Sequence, residues 1–131
     1  MSRLDLADGL RMLHDAGSDN GFGHAEHLAF AWSALDEADT VEDAIEVVSL
    51  TIRHAAALAG NPEKFHVTMT IFWVRMLDHV RAAHPGVKSV EEALAVFPAL
   101  ADPSLHDRHW SDINGEQARR QWVEPDLEPM P

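Results

Sequence analysis

Leu4, Leu6, Leu10 and Leu13 recur at roughly helical spacing and run into the turn-formers Ala16-Gly17-Ser18-Asp19-Asn20-Gly21, which predicts a short first helix and a loop. A second helix is predicted from about Gly23 to Glu37, with Leu28, Ala31, Trp32 and Leu35 as its inward stripe and His24 one turn further toward the N-terminus. Thr40 with Asp43 has the form of an acidic capping box, and Gly60 marks a stop. Between them lies a third helix, nearly apolar from Ala44 to Ala59. Asn61-Pro62-Glu63 reads as N-cap, first-turn proline and first-turn acid, so a fourth helix should begin at once. His66, Met69, Thr70, Trp73, Leu77 and Val80 line one of its faces until His84-Pro85-Gly86.

Ser89 with Glu92 caps a fifth helix, Val90 to Val96, broken near Pro98, and Asn114 with Gln117 caps a short last one, Glu116 to Gln121. The tail from Glu124 to Pro131 alternates prolines with acids and cannot be helical. It either lies extended on the bundle or is disordered. No run alternates as a strand does, and no internal repeat occurs. The expected fold is a single all-α domain over residues 1–131, an orthogonal or up-down bundle of about five to six helices. It divides into an N-terminal helix and loop (1–21), a helical core (22–123) and an extended tail (124–131).

Composition narrows the function classes. With 22 acidic and 10 basic residues the formal net charge is -12, and the arginines are scattered. Neither nucleic acid nor an anionic membrane surface is expected as a partner. The absence of cysteine removes disulfides, thiolate nucleophiles and cysteine-ligated metals together. The N-terminal segment lacks the basic-then-apolar run of a secretory signal, and Val67 to Val74 is too short to span a bilayer. A soluble, cytoplasmic protein is the expectation, and the apolar third helix raises the prospect of a homodimer.

Three of the nine histidines stand out by placement. The short connections flanking the third helix make each neighbouring pair antiparallel, so the second and fourth helices should run parallel. Counted at roughly 1.5 Å of rise per residue, His24 lies level with about residue 68. That brings His66 within about a turn of His24, with His27 about one turn above it. His24 and His27, at i and i+3, can face one point. The same count puts His54 at that level as a fourth member of uncertain face. Partial positive charge at the helix N-termini should keep these rings neutral, the form that binds a metal or accepts a proton. The bland alternative is that each ring caps a helix or bonds a carbonyl at the bundle rim.

Other features are weaker. His24-Ala25-Glu26 lacks the Pro-Cys-x-x-Cys that a zinc deaminase requires, and no His-Glu-x-x-His occurs. His106 and His109 form a second i, i+3 pair, read as solvated or packed on the tail. Trp32, Phe72 and Trp73 read as core, although a tryptophan over a rim pocket could also wall off a ligand. Lys64 and Arg75 share a stripe of the fourth helix. Solvated charges are the default there, and an anion anchor beside His66 is the sharper alternative.

The segments Phe22-x-His24-x-x-His27-Leu28-x-x-Ala31-Trp32, Lys64-Phe65-His66-x-Thr68-x-Thr70-x-x-Trp73 and Ala118-Arg119-x-x-x-Val123-x-Pro125-Asp126-Leu127 resemble a family of short, all-helical, mostly uncharacterised bacterial proteins. Its members typically carry Phe-x-His-x-x-His-Leu, then Lys-Tyr-His-x-Thr-x-Thr, then an Ala-Arg pair followed by Pro-Asp-Leu. The likeness spans roughly Phe22 to the C-terminus. Phe65 stands where the family usually has tyrosine, His109 and Trp110 where it tends to have paired tyrosines, and His54 where an aromatic is common. The resemblance implies that His24, His27, His66, Thr70 and Arg119 belong together as a site.

Three functional readings follow. In the first, a rim pocket handles a small molecule, with His24, His27 and His66 holding a divalent transition metal (zinc, copper, iron or nickel). Thr70 would then orient the reacting group beside His66. Trp73 would contact the substrate, and Arg119 would hold its anionic group or tie down the tail's acids. In the second, the chain is a non-catalytic interaction module with structural histidines, steered by its charge toward a basic partner. In the third, His27 or His66 is the general base of a metal-free enzyme.

Overall fold

The computed structural model describes residues 3–17 and 23–131, which contain six α-helices and no strand. These are α1 (Leu6–Asp15), α2 (His24–Glu37), α3 (Val41–Leu58), α4 (Val67–Ala83), α5 (Val90–Val96) and α6 (Glu116–Arg120), joined in part by 3-10 turns at Pro62–Lys64, Pro98–Ala101 and Leu105–Arg108. Most of the loop predicted after the first helix, with Phe22 of the first motif, lies outside the described residues. An all-α bundle is the fold the apolar spacing predicts.

The helix ends follow from local chemistry. Asp5 and Asp8 cap α1 reciprocally, each carboxylate accepting the other's backbone N–H, at 2.9 and 3.0 Å. Thr40 and Ser89 accept from Asp43 N and Glu92 N, both at 3.1 Å, as expected. The Asp43 carboxylate faces Arg3 Nε at 3.5 Å. α3 ends in a Schellman turn. Gly60 takes φ +78°, while Asn61 N donates to Ala56 O and Gly60 N to Ala57 O.

The start of α4 differs from expectation. Pro62 opens a single 3-10 turn, Phe65 and His66 are extended (ψ 129° and 111°), and α4 begins only at Val67 with His66 as its N-cap. An imidazole does there what Ser or Asp usually does. The last helix is also capped differently, since its N-cap is Gly115, with no side-chain bond.

α2 and α4 run parallel. The His24 ring meets Trp73 at 4.5 Å between centroids, while eight residues on along each helix the Arg81 guanidinium sits 4.5 Å above the Trp32 ring, and it lies 3.2 Å from Asp36. Between them the core holds Phe30, Ala31, Ala34, Val47, Val48, Phe72, Val74 and Leu77, essentially without exposure. Burial of each of the large side chains is worth about 1.5–3 kcal/mol. α1 lies hard against α3, because a Cβ on Gly9 would fall 1.9 Å from Thr51 Oγ1. No described helix is long and apolar enough to cross a membrane.

The C-terminal segment lies extended on the bundle. Thr68 Oγ1 donates to Gln121 O at 2.8 Å and Trp110 Nε1 to Val123 O at 2.9 Å. Further on, Asp126 accepts from both the backbone and the hydroxyl of Ser111, and Leu127 N and Glu128 N donate to the carbonyls of His109 and Arg108.

Candidate functional site

His66 is positioned by two bonds that use both ring nitrogens. Nδ1 accepts the N–H of Met69 at 3.2 Å as the cap of α4, and Nε2 lies 2.7 Å from the carbonyl of Ile113. Since Nδ1 receives a proton donor, the ring proton resides on Nε2 and is donated to Ile113 O. The residue is 6% exposed. Burial holds its pKa below the ordinary histidine value, the carbonyl bond opposes that, and the charges of Arg119 and His106 push it down further. Thr70 Oγ1 donates back to the His66 carbonyl at 2.7 Å, so the hydroxyl proton stays within the helix.

His24 Nε2 lies 2.7 Å from the Leu100 carbonyl, and its ring stands edge-on to Trp73. His27 occupies the next turn of α2, where burial, reinforced by the charge of His24, pushes its pKa down to about 4. The ring is neutral at neutral pH, as expected, but burial is the main cause.

The three imidazoles are therefore not drawn to one point. His24 is level with Trp73, about two turns along α4 from His66, and its Nε2 is spent on a carbonyl. Among the described residues no group of three His, Asp or Glu side chains is arranged to hold a metal ion. The expected set of His24, His27 and His66 is thus not assembled around an ion, and with its ring nitrogens occupied His66 has no lone pair for a metal or a proton. Trp73 is also displaced from its expected role. At 2% exposure it packs in the core against Phe72 rather than on a ligand cavity.

His27 and His66 do meet across a pocket of about 620 Å³. α1 contributes Leu13 to it, and α3 contributes Ile52, Ala55 and Ala56; Lys64, Met69 and Thr70 complete the wall beside His66. A second recess, of about 530 Å³, continues past Lys64, His66 and Met69 to Glu63, Asn114 and Arg119. Arg119 Nη1 donates to the Glu63 carbonyl at 3.0 Å, which holds the guanidinium at this rim.

Of the other candidates, His54 is half-buried on α3 and does not border the pocket. Arg75 leaves the Lys64 stripe to lie 4.7 Å above the Trp122 ring. His106 and His109 are buried beside Phe72; His109 Nδ1 lies 2.8 Å from the Glu128 carbonyl and His106 Nδ1 3.1 Å from the Asp107 carboxylate. They pack the tail. Sequence reasoning missed the apolar floor of the pocket. Its signal is the run Ala55-Ala56-Ala57, where small side chains leave an apolar helix without bulk.

No family model, curated protein or solved structure matches this chain.

Proposed function

We propose that the chain is a small-molecule-binding protein whose ligand occupies the pocket between α1, α3 and the start of α4. One observation carries this reading. A cavity of about 620 Å³ has a mainly apolar floor and a few polar groups, His27, Lys64 and His66, on its walls, and both its size and its make-up are those of sites that enclose small organic ligands. The polar groups are held in place beforehand. His66 is fixed by two hydrogen bonds and His27 is kept neutral by burial, so each presents a defined face without reorganising.

Binding fits this geometry better than turnover or metal capture. A general base needs a free lone pair near its working pH, whereas His66 has none to offer and His27 is too weakly basic at neutral pH. A shared metal would require His24 and His66 to give up carbonyl bonds of 2.7 Å each.

The test is amide NMR with 1-octanol as a neutral apolar probe. Saturable shifts are expected at Ile52, Ala55, Ala56 and Met69, and they should vanish in Ala56→Phe, which fills the cavity. Shifts confined to other faces, or unchanged in a folded Ala56→Phe variant, would overturn the reading.

A further inference from the structure

Lys64 and Arg119 stand out in a chain of net charge -12. Among the described residues, Arg3, Arg11, Arg81 and Arg120 are matched to a carboxylate and the other six of the ten basic residues are not, so what sets Lys64 and Arg119 apart is where they lie. Neither the Lys64 ammonium nor the Arg119 guanidinium has a carboxylate partner within salt-bridge distance among the described residues. Both line the recess that continues from the apolar pocket past His66, and Lys64 borders the two spaces at once. Glu63 shares the rim, so two cations face one anion there. The nearby Glu116 carboxylate is already held by Arg120 at 2.6 Å.

We infer that the ligand is an organic anion with an apolar body, such as a medium-chain carboxylate, its hydrocarbon lying against Ile52, Ala55, Ala56 and Met69 and its carboxylate between Lys64 and Arg119. This rests on the pocket being the ligand site and adds the ligand's charge and orientation. Cation-to-carboxylate bonds are about twice as strong as neutral ones, and an arginine fork matches a carboxylate in shape. The local field also has the right sign, since the Arg119 charge reaches His66 and disfavours its protonation.

The experiment compares octanoate, 1-octanol and octylammonium, which share a chain and differ in headgroup charge. Each is titrated by amide NMR into the wild type, Lys64→Met and Arg119→Met. Octanoate is expected to bind the wild type at least tenfold more tightly than 1-octanol, and octylammonium more weakly than either. Each variant should remove most of the octanoate advantage and leave 1-octanol affinity unchanged. Two further outcomes separate the inference from its basis. If 1-octanol or octylammonium binds the pocket as tightly as octanoate, the anion assignment is overturned while the pocket stands. If none of the three moves the pocket amides, the pocket reading itself falls.

Discussion

Removing the His66 ring should cost the protein more than removal of an ordinary helix cap. In His66→Ala the Met69 N–H loses its acceptor and the carbonyl of Ile113, a residue 2% exposed, loses its donor. The lost cap is worth about 1 kcal/mol. The orphaned buried carbonyl adds about 1–3 kcal/mol, so the expected loss is about 2–4 kcal/mol from a total of order 5–15 kcal/mol. His66→Asn separates the two parts. Its side-chain oxygen can still accept from Met69 N, but it is too short to reach Ile113, so about 1 kcal/mol should return. Urea unfolding at pH 7.5, followed by far-ultraviolet circular dichroism with the slope held constant, measures both. A loss below about 1 kcal/mol in His66→Ala, or no recovery in His66→Asn, would refute the double role of the ring.

Gly9→Ala places a methyl group onto Thr51 and should destabilise by about 1–3 kcal/mol from overpacking, less about 1 kcal/mol gained in helix propensity; Thr51→Ala should relieve much of it, visible as coupling in a double-mutant cycle by thermal denaturation. Acid should weaken the fold through His27. Its folded pKa of about 4 lies below the ordinary 6.5, so between those values the unfolded chain binds the extra proton, and stability present above pH 6.5 is lost as pH falls toward 4, by up to about 3 kcal/mol. His66 acts in the same direction, so in His27→Gln the gap between urea midpoints at pH 7 and 5 should narrow but not close. Asp126→Ala removes two bonds from Ser111 and should cost about 1 kcal/mol, with faster amide exchange at Leu127 and Glu128 as the readout.

Much of the bundle was legible because its signals are local. The caps at Thr40 and Ser89, the stop at Gly60 and the parallel course of α2 and α4 each follow from a few neighbouring residues. The cluster of histidines was read less well, and the reason lies in one short segment. Counting on rise starts the fourth helix at about Pro62, whereas α4 begins only at Val67, after a 3-10 turn and two extended residues. The residue level with His24 therefore moves from about 68 to 73, and His24 meets Trp73 instead of His66. That each ring caps a helix or bonds a carbonyl is among the readings the sequence allows, and His66 does both, but imidazole is absent from the usual capping residues, so nothing marks position 66 itself as the N-cap of α4. The Ile113 carbonyl, 47 positions away, bears no mark in sequence at all.

The clasp on His66 also makes the molecule its own reporter. A ring N–H buried against a carbonyl exchanges slowly with water, so it should survive as a separate proton resonance far downfield of the amides. A guest settling beside it would shift that signal, and loosening of the first turn of α4 would erase it. Occupancy and integrity of the cavity could then be followed in solution without any added label.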